Sequence, residues 1–315
     1  MVQQMSSDKV EVIAPATIAN LGPGFDVFGI ALREPYDVIG VKRVSETGVR
    51  VAEVTGVGAN RVVSDAKRNT ASVAAMEVLR KANAEFGLEI SIRKGVRPCS
   101  GMGSSGASAA GGAFAANLML EKQLPLSDLV VCAALGEQAS SGTLHADNVA
   151  PSLYGGFTII RSYNPLDVIH VVPPPNLGIV AALPDVMVST KEARGMLPRS
   201  VEMRKLVHTV GQAASMAVGM SLGDVSLIGR SASDVIVEPV RAPLVPHLKE
   251  AEEAAMKAGA VASFLGGSGP CVASFFDFSI SDGKAIGEAV RRVFESKGVK
   301  VDIWVDGWGK GCRRV

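Results

Sequence analysis

Phosphate chemistry is the first thing the residues suggest. Gly101-Met-Gly103-Ser-Ser-Gly106 sets three glycines and two serines ahead of a long run of Ala, Gly and Ser. Glycines let backbone approach a ligand closely, and serine hydroxyls add donors or a metal ligand. A helix that follows presents its first N–H groups to an anion. The pattern G-x-G-x-x-G is weak by itself. In a dinucleotide-binding unit the helix should lead into a second strand ending in an acid, whereas the next segment here, LSDLVVCAALGEQ, reads as another helix. A Walker loop fails because no Lys-Ser or Lys-Thr follows. A strand–loop–helix unit that wraps a phosphate chain remains, against the plainer alternative that Gly, Ala and Ser only permit close helix packing. Packing suits Ala109–Gly112 but leaves Gly101, Gly103 and the two serines unexplained.

Two more loops carry polar or glycine-rich chemistry. Ala14–Asp26 reads as a long turn between strands, with Asn20 and Asp26 framing Gly22 and Gly24. Gly266-Gly-Ser-Gly-Pro270 joins two strands too sharply for bulky side chains. Either alone could be only a turn.

Apolar patterning predicts the elements that must position these loops. Val10–Ile13 is a short strand, Pro15–Gly24 a loop, and Val27–Leu32, Val38–Val44 and Val49–Val54 are strands. Asn69 to Phe86 is a helix capped by Asn69 or Thr70. The half-buried strand Leu88–Ile92 leads into the glycine loop. Ser104–Leu120 and Leu126–Ala139 are helices, the second with Ser127 as expected N-cap. Strands follow at Phe157–Ile160 and Val168–Val172. The triple proline Pro173–Pro175 then marks the expected boundary between a domain over 1–172 and one over 173–315. Beyond it lie a strand (Leu177–Leu183), helices around Val201–Val218 and Leu244–Ala258, strands at Ala260–Phe264 and Cys271–Phe276, a helix (Gly283–Ser296) and a strand (Val299–Val305). That order suits a split βαβ, ferredoxin-like half. The expected fold class is α+β, in two halves.

Composition excludes other functions. Lys+Arg 32 against Asp+Glu 31 leaves a net charge of +1, and aromatic residues make up only 5%. Both disfavour a nucleic-acid binder that works through a broad basic field or base stacking. Glycine is the outlier, at 34 of 315 residues. Cys99, Cys132, Cys271 and Cys312 are scattered, and the four histidines show no zinc spacing. The N-terminus MVQQMSSDKVEV lacks the basic and apolar regions of a signal peptide. The 23 uncharged residues between Arg97 and Glu121 begin with Gly and Ser rather than Leu, Ile and Phe, so no membrane span is expected. A cytoplasmic protein is expected.

Taken together, the three loop segments resemble the GHMP small-molecule kinases, named for galactokinase and the homoserine, mevalonate and phosphomevalonate kinases. Members carry an N-terminal Pro-containing segment, a central Pro followed by Gly-[Leu/Met]-Gly-Ser-Ser, and a C-terminal Gly-Gly-x-Gly turn. Pro15–Asp26, Pro98–Ser108 and Gly266–Pro270 match these in order over nearly the whole chain. Within the family, ATIANLGPGFDVFGIAL, Glu137–Gly156 and Ser189–Arg194 are most similar to members that phosphorylate L-homoserine.

The resemblance implies a GHMP kinase two-domain fold. Its N-terminal half would be like ribosomal S5 domain 2, with a left-handed crossover, and its C-terminal half ferredoxin-like. It implies ATP-dependent phosphorylation of the L-homoserine hydroxyl, a step toward threonine, with Mg²⁺ held by Ser105, Glu137 and phosphate oxygens. Pro98, Cys99, Ser100, Gly101, Met102, Gly103, Ser104, Ser105, Gly106, Ala107 and Ser108 would hold the triphosphate, with Asn69 near the adenine. Asn20, Asp26, His145, Arg194, Arg241 and Gly267 would surround the amino acid. Relatives such as mevalonate kinase use an Asp base with a Lys near it. Asn148 stands at the matching position and cannot accept a proton at neutral pH. The resemblance therefore implies catalysis by positioning and charge stabilisation, with Asn148, Thr190 and Arg194 at the transferred group. Met102, where many relatives have Leu, reads as a packing change.

Plainer readings stay open for single residues. Glu137 could be a solvated helix acid, Arg241 a surface partner of Glu238, and His145 a core histidine. His170, His208 and His247 are read as structural. A family member acting on another hydroxylated acid such as shikimate, or a non-catalytic ligand binder, also stays open. A homodimer is an expectation at family level only.

Overall fold

Small apolar residues build the strands that carry the first loop. In the computed structural model, which describes residues 8–315, β1 (Lys9–Asn20) and β2 (Gly24–Val44) form a long antiparallel pair. The N-terminal residues 1–7, on which much of the signal-peptide expectation falls, lie outside the described residues. The expected loop at Pro15–Gly24 is corrected to a strand that continues to Asn20, followed by a turn of only Leu21, Gly22 and Pro23. The two strands expected between Val27 and Val44 are likewise one element. Ala14, Ala16 and Ile18 are buried, and Thr17, Ile18 and Ala19 pair with Ala31, Ile30 and Gly29. The ladder shifts register between Pro15 and Thr17, which is where a strand tolerates a proline.

β3 (Gly48–Gly56) and β4 (Gly87–Lys94) run parallel, connected through α1 (Thr70–Lys81). The Asn69 side chain caps α1 by accepting from Ser72 N at 3.1 Å. α2 (Ser104–Leu118) and α3 (Leu126–Ser141) pack beside α1 over the sheet, burying Ile39, Val41, Leu88 and Ile90 against Ala71, Ala74, Ala109 and Leu129. Pro125, not Ser127, is the N-cap of α3. A Cβ on Gly112 would lie 2.7 Å from Ala71 Cα. Close packing therefore accounts for the later part of the Gly/Ala run, leaving its beginning for the site. α4 (Val149–Tyr154) leads into β5 (Phe157–Tyr163) and β6 (Leu166–Val171), which extend the first sheet from β2.

The second sheet holds β7 (Leu177–Pro184), β8 (Ala262–Leu265), β9 (Val272–Asp277) and β10 (Val301–Gly307) in the order β10-β7-β9-β8. Numbered within that half, the order is 4-1-3-2, the ferredoxin-like arrangement. Between β7 and β8 come α5 (Thr190–Gly195), α6 (Met203–Leu222), α7 (Val225–Arg230), α8 (Glu238–Arg241) and α9 (Leu248–Lys257). α10 (Gly283–Glu295) joins α9 over one face, packing Leu248, Ile286, Val290 and Phe294 around Phe276. The patterning does not predict α4, α5, α7 or α8. Helices of four to six residues are too short to show a 3.6-residue period.

The halves share a core: Ile18, Leu21 and Phe28 from the first sheet meet Leu183, Phe264 and Phe275 from the second. The tail then returns to the first sheet, where β11 (Arg313–Arg314) pairs with β1 at Ile13 and Val12. No helix among the described residues is long and apolar enough to cross a membrane.

Candidate active site

The three glycine-bearing segments meet in one cleft of about 550 Å³. Gly101 has φ 75°, and a Cβ there would lie 2.5 Å from the Gly266 carbonyl oxygen. Cys271 N donates to Ser100 O at 3.1 Å, and Gly267 N donates to Ala19 O at 3.2 Å. Gly103, with φ 63°, is the N-cap of α2 and leaves no room for a side chain beside Thr17 and Asn148. The sequence thus brings β1, the α2 entrance and the β8–β9 turn together by removing side chains where backbones touch.

At the α2 N-terminus the two serines separate in role. Ser104 Oγ donates to Val96 O at 2.7 Å, so it ties the loop to itself. Ser105 Oγ donates to Glu137 Oε1 of α3 at 2.7 Å. Burial pushes the Glu137 carboxyl above its ordinary range, opposed by the Ser105 hydrogen bond and the Lys94 charge. Glu137 faces the cleft and is not a solvated surface acid. One hydroxyl and one carboxylate are hard oxygen donors in contact and suit a divalent cation such as Mg²⁺, while the positive end of α2 beside them suits an anion that such a cation would accompany.

The other end of the cleft is ionic. Arg194 on α5 donates through Nη2 to both carboxylate oxygens of Asp26, at 2.9 and 3.1 Å. Asp26 has φ 56°, and its N–H donates to Asn20 Oδ1 at 3.2 Å. His145 Nδ1 lies 3.4 Å from Arg194 Nη2, and burial lowers the affinity of its imidazole for a proton. Arg241 is only 3% exposed, and its Nη1 donates to Gly267 O at 3.0 Å. Its expected alternative as a surface partner of Glu238 is thereby corrected, since Glu238 pairs with Lys249 and accepts from Leu265 N. Asn20 Nδ2 donates to the same Gly267 oxygen at 3.0 Å. The Phe25 ring lies 5.4 Å from the Arg194 guanidinium and 5.2 Å from that of Arg241, supporting both.

Between the two ends, Asn148 precedes α4, and its Oδ1 accepts from Thr17 Oγ1 at 2.8 Å. Thr190 opens α5 within 3.3 Å of Ser268 Oγ. Asn69 lines the cleft, but its side chain is spent on capping and on Val63 O at 2.8 Å. Pro98 to Gly101, Gly103 to Ser105 and Ser108 also line it. Met102, Gly106 and Ala107 do not: Met102 is 1% exposed in the shared core and Ala107 is buried. His170, His208 and His247 lie outside the cleft.

Sequence reasoning passed over Phe25, Arg61, Arg68, Lys94, Asp147 and Lys191, all of which line the cleft. Phe25, Asp147 and Lys191 stand inside matched segments, a signal that could have found them. Burial, with Asp26 and Glu137 nearby, pushes the Asp147 carboxyl up to about 7. Arg61 and Arg68 are ordinary basic residues outside those segments, and only the fold brings them to the rim.

The fold and the site define a small-molecule kinase. The family profile of the GHMP kinases N terminal domain matches residues 69–156, and that of the GHMP kinases C terminal region matches 216–299. The chain belongs to the GHMP kinase family. Among its relatives, homoserine kinase of Pyrococcus abyssi is 39% identical over 97% of this chain and 99% of its own. Homoserine kinase of Methanococcus vannielii is 43% identical over 84% of this chain and 86% of its own. The crystal structure of homoserine kinase from Cytophaga hutchinsonii superposes with a TM-score of 0.94 at 37% identity, covering 100% of this chain and 99% of the other. The mevalonate kinase of L. major, at 16% identity and a TM-score of 0.71, shares the fold.

Proposed function

We propose that the protein transfers the γ-phosphoryl group of ATP to the side-chain hydroxyl of L-homoserine, giving O-phospho-L-homoserine and ADP. The carrying observation is a single cleft with a glycine-lined helix N-terminus at one end and an Asp–Arg pair at the other. A zwitterionic amino acid needs an acid for its ammonium and a guanidinium fork for its carboxylate. Asp26, Arg194 and Arg241 supply both, and relatives of 39–47% identity carry the name homoserine kinase. Shikimate has no ammonium to meet Asp26.

Ser105 and Glu137 fit a Mg²⁺ ion, which when bound neutralises charge on the phosphate oxygens. The remaining work falls to the chain. The backbone from Pro98 to Ser105 holds the triphosphate, and the wall around Asn69, Val62 and Val63 receives the adenine. Thr17 fixes the amide of Asn148, and a neutral amide orients a hydroxyl without taking its proton. The hydroxyl oxygen bonds to phosphorus as the bridging bond to ADP breaks, and the hydroxyl proton passes to a phosphoryl oxygen. Thr190, between the two ends, is assigned to the region where the transferred charge develops. The free thiols suit a reducing cytoplasm. The triple proline Pro173–Pro175 supports a division into domains at residues 1–172 and 173–315, and the family resemblance supports a homodimer.

The direct test is ADP release from Mg-ATP with a panel of hydroxylated acids. Turnover with L-homoserine is expected. Turnover with shikimate instead would overturn the substrate, and none with any acceptor would favour a ligand-binding relative.

A second test locates the nucleotide. Cys99 is exposed in the loop, whereas burial pushes the thiol of Cys132 up to about 11 and those of Cys271 and Cys312 to about 12. Iodoacetamide should label Cys99 first, and saturating Mg-ATP should slow that labelling by about tenfold or more, read by peptide mass mapping. An unchanged rate would move the nucleotide off this loop.

A further inference from the structure

Beneath the glycine loop lies a charged pair that the reaction described above does not use. Lys94 is the last residue of β4 and Asp37 sits within β2, at 3% and 0% exposure. Lys94 Nζ donates to Asp37 Oδ2, to Ser104 O at 2.9 Å and to Ser108 Oγ at 2.8 Å. An ammonium has three N–H donors, so all of them are spent. Asp37 is equally engaged. Its Oδ1 accepts from Gly95 N and Val96 N at 3.0 Å each, and its Oδ2 accepts from Lys94 and from Ser108 Oγ at 2.8 Å. Apart from the bond between the two, every one of these bonds ends on one of two places: the exit of β4 at residues 95–96, or the first turns of α2 at 104 and 108. The loop 97–103 is strung between them.

This saturation decides between two roles for a lysine lining a phosphate cleft. A lysine that grips phosphate must have an N–H to give, and Lys94 has none. A buried ion pair is also a poor source of net stability, because desolvation offsets the attraction. What the network does supply is geometry. We propose that Asp37 and Lys94 are positioning residues for the nucleotide: they lock the start of α2 to the end of β4. The N–H groups at Ser104 and Ser105 and the Ser105 hydroxyl then face the cleft before any phosphate arrives. Preorganised donors bind an anion without reordering, so losing the lock should weaken nucleotide binding and spare the amino-acid end.

The inference rests on the nucleotide reading of the loop, and the test separates the two. Calorimetric binding of Mg-ADP to the wild-type protein checks that reading alone. The double variant Asp37→Asn, Lys94→Met then checks the lock. It removes both charges together, while the asparagine keeps an acceptor for Gly95 and Val96 and a donor for Ser108. The expected result is a cooperatively folded protein whose Kd for Mg-ADP rises about 30-fold, with the KM for L-homoserine at saturating Mg-ATP within about threefold of wild type. A merely structural pair would leave the folded variant's Kd unmoved, so a Kd within about threefold of wild type overturns the proposal. Should the double variant not fold, Ser108→Ala removes one arm of the network without stranding a charge. It should weaken Mg-ADP binding about fivefold, and an unchanged Kd there overturns the proposal as well.

Discussion

Glu137→Gln should lower kcat by roughly 10²-fold or more and raise the Mg²⁺ concentration needed for half-maximal rate, while the fold persists. Glutamine keeps the shape of the side chain and an acceptor for Ser105 Oγ, which now stands 2.7 Å from the carboxylate. It removes the negative charge, and with it most of the affinity of this oxygen pair for a dication. Ser105→Ala should fall in the same range. The double variant should fall little further, because the two act as one site and their effects are not additive. Steady-state kinetics at varied Mg²⁺ is the measurement. A kcat within about threefold of wild type in both single variants would remove the metal assignment.

Arg194→Ala should act at the other end of the cleft. The pair is only partly buried, with side chains 32% and 26% exposed. Losing a hydrogen bond to a charged group costs about 1.5–3 kcal/mol, so the KM for L-homoserine should rise roughly 10-fold or more, with the KM for Mg-ATP little changed. Part of that loss would come from Asp26, stripped of the guanidinium that now meets both of its oxygens. Arg194→Lys should rescue only weakly, since an ammonium cannot reproduce the planar fork resting near Phe25. An unchanged KM for L-homoserine in Arg194→Ala would show that the carboxylate lies elsewhere.

How far the sequence reveals the site depends on whether a residue's role is local. Gly101 and Gly103 were legible because positive φ and close backbone approach exclude other residues. Asn69 was legible as a cap because the capping bond spans only three residues. Ser105 and Glu137 needed the resemblance, since they meet across 32 positions and from different helices. Pro15–Asn20 reads as a loop in sequence because Pro, Ala and Asn are poor strand formers in isolation. Burial between β2 and the shared core overrides that preference. Lys94 and Asp37 gave no signal at all. Each is an ordinary strand-end or strand-interior charge until β2, β4 and α2 close around them, 57 positions apart in sequence. The ferredoxin-like half is legible from element order alone, because its strands are short and apolar, with helices between β7 and β8 and between β9 and β10 and a tight turn between β8 and β9.

The returning tail has a consequence for synthesis. Gly309 N donates to Ala31 O, Gly156 N to Gly309 O, and Cys312 N to Ser152 O of α4, the helix that starts beside Asn148. β11 covers the edge of β1. Residues 309–315 leave the ribosome after every other residue described here. Until they do, β1 keeps an open edge, the kind of surface on which nascent chains pair wrongly. The α4 support is also unfinished until then. A ribosome-bound chain lacking only these residues would contain every motif of the cleft and still await the strand that secures it, so catalytic competence should arrive only once residues 309–315 have emerged rather than domain by domain.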